Sequence, residues 1–107
     1  MPAVEHEPDF ADRASLFGEK VRFRAHQLSL SQKDLIEFTG LSRSYVQLLW
    51  NGRGSHRGAD GTYKPPNPTM DIITRVSMVL KVDDGYLIDH SRPVGDHRER
   101  PGLWDRV

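Results

Sequence analysis

The spacing of apolar positions divides the chain into five short helical stretches between two polar ends. From Asp12 onward Phe17, Val21 and Leu28 share one stripe, with Ala25 between them, while Arg13, Lys20, Arg22 and Gln27 fall elsewhere. That stretch closes at Ser29-Leu30. Leu35, Ile36 and the pair Phe38-Thr39 give a second helix its inner side, and Val46, Leu49 and Trp50 give one to a third. Ile72, Ile73, Val76 and Leu80 mark a fourth helix, and DDGYLID at 83–89 a short fifth, with Leu87 and either Tyr86 or Ile88 inward. No stretch reads convincingly as a strand. The pattern predicts one all-α domain over residues 12–89, preceded by an acidic N-terminal arm at 1–11 and followed by a polar C-terminal tail at 90–107, in which Leu103-Trp104 is a candidate docking point.

The residues between the stripes support these boundaries. Ser31 is a good N-cap, and Asp34 three residues later completes a capping box with the shorter acid. Gly40 closes the second helix by taking the left-handed conformation cheaply. Ser42 caps the third helix, Asn51-Gly52 ends it, and Thr69 caps the fourth. Residues 52–68, GRGSHRGADGTYKPPNP, form a long loop rich in glycine and proline. The break at Gly40 is informative. A core would be served equally well by one longer helix, so ending one at Thr39 and capping another at Ser42 implies that the third must leave steeply and present its outer face.

Composition narrows the chemistry. Fifteen basic residues balance fifteen acidic ones, so net charge alone gives no nucleic-acid signal. The distribution is uneven. Residues 1–14 carry four carboxylates against Arg13, and 69–90 carry four against Arg75 and Lys81. Residues 15–68 carry eight basic residues against four acidic. The absence of cysteine excludes disulfides, thiolate catalysis and zinc knuckles, and fits a reducing cytoplasm. No apolar run approaches the roughly 18 residues of a membrane span, and the N-terminus lacks the pattern of a signal peptide. The five histidines, no two of which stand three or four apart, suggest no metal site. No serine has the His and Asp partners of a hydrolase. The glycines of GRGSHRG follow no strand and lack the order of a phosphate-binding loop. Neither an enzyme nor a cofactor is expected.

Gln32, Leu35, Gly40, Leu41, Ser42, Val46, Leu49 and Asn51-Gly52 stand at the spacing of the helix-turn-helix of phage repressor and Cro proteins, the xenobiotic-response-element family. The resemblance extends through PTMDIITRVSMVLKVDDGYLI and covers about residues 15–89. It implies a five-helix, repressor-like DNA-binding domain in which Val46 packs against Leu35 and the third helix enters a major groove. Three positions depart from the family. Ile36 stands where alanine is usual, and Ala25 and Trp50 stand where an internal Arg–Glu pair is common. The loop at 52–68 is also longer than most.

By that resemblance, Arg43, Ser44, Gln47 and Leu48 occupy the base-reading positions. Arg43 is suited to paired hydrogen bonds with guanine, Gln47 to adenine or a phosphate, and Leu48 to a thymine methyl. Gln32, at a helix N-terminus, and Asn51 match phosphate-contacting positions. Tyr45 either touches the DNA backbone or covers the core. Arg53, Arg57 and Lys64 of the loop are further backbone candidates. Each has a plainer reading: a solvated face for Arg43 and Gln47, packing on the long loop for Leu48, ordinary helix ends for Gln32 and Asn51, and a solvated loop for the rest.

The implied function is a cytoplasmic, sequence-specific transcriptional regulator, a repressor of phage or bacterial origin. It would bind an operator in double-stranded DNA as a homodimer through the fifth helix and the tail near Trp104. A toxin or antirepressor protein is a candidate further partner. Two alternatives stay open. One is an antitoxin that uses the same fold, neutralising a toxin through its tail while repressing its own promoter. The other is a protein-interaction module that does not bind DNA.

Overall fold

The computed structural model of the protein describes residues 10–52 and 68–100. Five helices follow one another: α1 (Phe10–Gln27), α2 (Gln32–Thr39), α3 (Arg43–Asn51), α4 (Met70–Leu80) and α5 (Asp84–Ile88). The described part of the chain is all-α, and its only β-type pairing is an isolated bridge between Val82 and Glu99. The first helix starts at Phe10, two residues ahead of the expected Asp12.

The local signals act as their chemistry dictates. Ser31 Oγ accepts from the Asp34 backbone N–H at 3.2 Å, and the Asp34 carboxylate accepts from the Ser31 N–H at 2.9 Å, which completes the capping box. Ser42 Oγ accepts from the Tyr45 N–H at 3.1 Å, and Thr69 Oγ1 from the Ile72 N–H at 3.3 Å. Gly40 closes α2 at φ 75°, a backbone region that a side chain would strain.

α1 is the spine, packing against α3, α4 and α5, while α2 packs against α3 and α4. The core gathers Phe17, Val21 and Ala25 of α1 with Leu35 of α2, Val46 and Leu49 of α3, and Val76, Val79 and Leu80 of α4. Ile36 lies at the edge of this core, half-buried and packed against it. In α5 Tyr86 and Leu87 turn inward and Ile88 outward.

Four helices end on a basic side chain supplied by a different helix. Lys20, fully buried, donates from Nζ to the carbonyls of Tyr86 (2.6 Å) and Asp89 (2.8 Å) at the end of α5, and lies over the Tyr86 ring. Arg22 donates to the Trp50 carbonyl at the end of α3. Arg24 Nε donates to the Leu80 carbonyl at the end of α4 (2.9 Å), and Arg75 Nη1 to the Thr39 carbonyl at the end of α2 (3.1 Å). A helix leaves its last carbonyls without intrahelical partners and carries partial negative charge at that end, so a cation there satisfies both needs. Burial pulls the Lys20 pKa down, and the nearby Asp89 carboxylate opposes that shift.

The chain beyond α5 folds back. Residues 90–100, which the pattern assigns to a polar tail, run along the α4–α5 junction. The Asp83 N–H donates to the Arg98 carbonyl (2.9 Å), and the Arg100 N–H to the Lys81 carbonyl (3.2 Å). Leu103-Trp104, the arm at 1–9 and the loop at 53–67 lie outside the described residues.

Candidate nucleic-acid interface

The expected reading surface depends on how α3 is held. Its inner side is fixed by Val46 and Leu49, both buried, with Tyr45 and Trp50 packed on the core at its flanks. Its C-terminal end is pinned by α1. A side-chain carbon on Gly18 would lie 2.9 Å from the Trp50 carbonyl oxygen and 3.0 Å from that of Leu49, so α1 crosses there with backbone nearly touching backbone. One turn further along α1, the Arg22 guanidinium reaches the Trp50 carbonyl. Its N-terminal end is set by the short Gly40-Leu41-Ser42 turn from α2.

With three sides committed, the fourth faces solvent. Arg43, Ser44, Gln47 and Asn51 are all exposed, and their spacing of three and four residues places them on one stripe of α3. Leu48 is half-buried beside this stripe. Tyr45 is half-buried against the core, and burial raises the pKa of its phenol. Gln32 is half-buried at the first position of α2, behind the Ser31–Asp34 capping box. Arg53, Arg57 and Lys64 lie outside the described residues.

Gln32 also lines an open cleft of about 590 Å³ that sequence spacing does not reveal. The end of α1 contributes Arg22 and His26, the start of α2 contributes Ser31, Gln32 and Lys33, and Trp50 closes the far side. Two cations, an imidazole and an amide thus converge beside the third helix, a suitable lining for an anion. Neither Arg22 nor His26 stood out in the sequence, because they reach the cleft only through the crossing of α1 over α3.

The basic character of residues 15–68 is partly internal. Lys20, Arg22 and Arg24 each serve a helix end, and two of the three are buried. Lys33 and Arg43 are exposed. No group of three or more His, Cys, Asp or Glu residues is placed to hold a metal ion among the described residues. Within the same residues no helix is long and apolar enough to cross a membrane.

No protein-family model matches the chain, and no curated protein or solved structure is significantly similar to it.

Proposed function

We propose that this protein is a sequence-specific DNA-binding transcriptional regulator with a repressor-like helix-turn-helix, a repressor that acts by occupying its operator. In this reading α2 and α3 are the two helices of the motif, and α3 reads a half-site from the major groove. The observation that carries it is the stripe of Arg43, Ser44, Gln47 and Asn51, solvent-facing on a helix whose other sides are committed to α1, α2 and the core. Arg43 lies in the first turn, the part of a recognition helix that approaches base edges most closely. The cleft lined by Arg22, His26, Gln32 and Lys33 provides a neighbouring place for a phosphate. A homodimer on a symmetric site would double this contact set.

The test is selection of a binding site from random duplex DNA, followed by titration of wild type and Arg43→Ala. The titrations use the selected site, its single-base variants and random duplex. The side chain is exposed and outside the core, so the variant is expected to melt within about 0.5 kcal/mol of wild type. Binding to the selected site is expected to weaken by roughly 1–3 kcal/mol, with preference relaxed at one base pair of each half-site. Equal loss on every duplex makes Arg43 a phosphate contact, and no loss removes α3 as the reading head. A dimer predicts an inverted repeat with half-site centres about one helical turn apart.

A second reading is favoured by the internal use of Lys20, Arg22 and Arg24, which leaves the described surface less basic than the sequence suggests. In that reading the α3 stripe meets a protein, a toxin or antirepressor among them. Absence of duplex affinity at low salt would select it.

A further inference from the structure

We propose that residues 90–100 form a strap that acid releases, with His97 as its trigger. The strap is held almost entirely by polar contacts. Asp89 turns the chain out of α5 by accepting from the N–H (3.0 Å) and Oγ (2.6 Å) of Ser91. Arg92 then reaches back to Asp83 with two nitrogens, at 2.6 and 3.0 Å. The Arg98 N–H donates to the same carboxylate at 2.7 Å, and the Gly95 N–H to the Tyr86 hydroxyl at 2.7 Å. A side-chain carbon on Gly95 would lie 3.5 Å from the ring edge of Phe23, so the strap passes beside that ring. Asp83 and Tyr86 are therefore the two posts to which residues 92–98 are tied, and Arg100 adds an ion pair with Asp84 and a backbone bond to the Lys81 carbonyl.

His97 packs on the Tyr86 post, ring centroids 5.4 Å apart, with its Nδ1 buried and without a hydrogen-bond partner. A neutral imidazole leaves one nitrogen unprotonated, but an imidazolium carries N–H at both. Protonation would place a charged donor at a buried position with nothing to accept from it. The surrounding charges do not compensate. Arg24 of α1 and Arg92 of the strap oppose a cation at His97, while Asp83 of the α4–α5 junction and Glu99 of the strap favour it. Asp83 is already engaged by Arg92 and Arg98. From α5 the facing group is the Tyr86 phenol, which burial keeps neutral.

The direction of the pH effect follows. Burial pushes the docked His97 below its ordinary pKa, and Arg24 adds to that shift. In the released strap the imidazole titrates near ~6.5. Between the docked and released values only the released form binds the proton, so docking is strongest above about pH 6.5 and weakens as pH falls. The Asp83 and Asp89 carboxylates, held below the usual carboxylate range by Arg92 and Ser91 respectively, keep their charge through this window. Release uncovers the Tyr86 hydroxyl and the flank of Phe23.

The experiment is amide hydrogen exchange on the full chain at pH 7.5 and pH 5, expressed as protection relative to intrinsic rates. The amides of Asp83, Gly95, Arg98 and Arg100 are expected to lose protection at pH 5, by at most about thirty-fold given a released pKa near 6.5. Those of Val21 and Leu49 are expected to keep it. His97→Phe retains a ring against Tyr86 without a titratable nitrogen and is expected to hold the strap at both pH values. His90→Gln, at an exposed position of the same segment, is expected to behave as wild type. Independently, an NMR titration of the wild-type His97 imidazole is expected to give a midpoint below that of histidine in the unfolded chain. The inference is overturned by a strap equally protected, or equally unprotected, at both pH values. Acid opening that persists in His97→Phe overturns it too, as does an ordinary His97 midpoint.

Discussion

Replacing Gly18 by alanine tests how tightly α1 holds the α3 helix. Two effects oppose each other. Alanine in the middle of an 18-residue helix gains about 0.8–1.0 kcal/mol over glycine in helix propensity. The new methyl would sit 2.9 Å from the Trp50 carbonyl oxygen, 3.0 Å from the Leu49 carbonyl oxygen and 3.0 Å from the Gly52 nitrogen. All three are backbone atoms, so no side-chain rotation relieves the contact, and the helices must separate by a few tenths of an ångström. Overpacking of this kind costs roughly 1–3 kcal/mol, which leaves a net loss of up to about 2 kcal/mol. For a domain of this size each 1 kcal/mol lowers the melting temperature by about 4–8 °C. Gly85→Ala is the matched control. Its methyl would meet only the side-chain atoms of Arg92 and Asp83, both at 3.9 Å, so helix propensity acts almost unopposed and stability is expected to hold or rise. Thermal melts followed by circular dichroism decide the matter. If both variants melt at or above wild type, the crossing at Gly18 is not tight and α1 does not position α3 there.

Lys20→Met keeps most of the side-chain volume but removes the Lys20 donor from the Tyr86 carbonyl and one of two donors from the Asp89 carbonyl, which keeps the Arg92 N–H. The expected loss is on the order of 1–3 kcal/mol, read from chemical denaturation, and unchanged stability would mean that desolvating the ammonium cancels its bonds. Duplex affinity is expected to fall with salt, the slope of log K against log salt being about −0.9 per phosphate neutralised. Replacing Arg53, Arg57 and Lys64 together by alanine is expected to flatten that slope and weaken selected and random duplex alike. Unaltered affinity would assign the loop to solvent.

Features that depend on near neighbours along the chain were legible before any packing was known. Ser31, Ser42 and Thr69 bond to backbone N–H groups three residues away, and Gly40 and Gly52 take φ 75° and 73°, so the helix starts and the turn could be read directly. The apolar stripes of α2 to α4 were legible for the same reason, since one helix period sets which residues face inward. That period also placed Arg43, Ser44, Gln47 and Asn51 outside the stripe of α3, where they are exposed.

Tertiary structure decided the rest. Lys20 falls outside the apolar stripe of α1 and Arg24 is a charged residue in line with it, yet both are buried, because the ends of α5 and α4 arrive over them. Gly18 looks like a flaw in a helix until α3 crosses it. Residues 90–100 have the composition of a solvated tail, and they dock because Asp83 and Tyr86 stand where their amides can reach. In each case the deciding contact comes from groups many positions away along the chain, which helix periodicity does not encode.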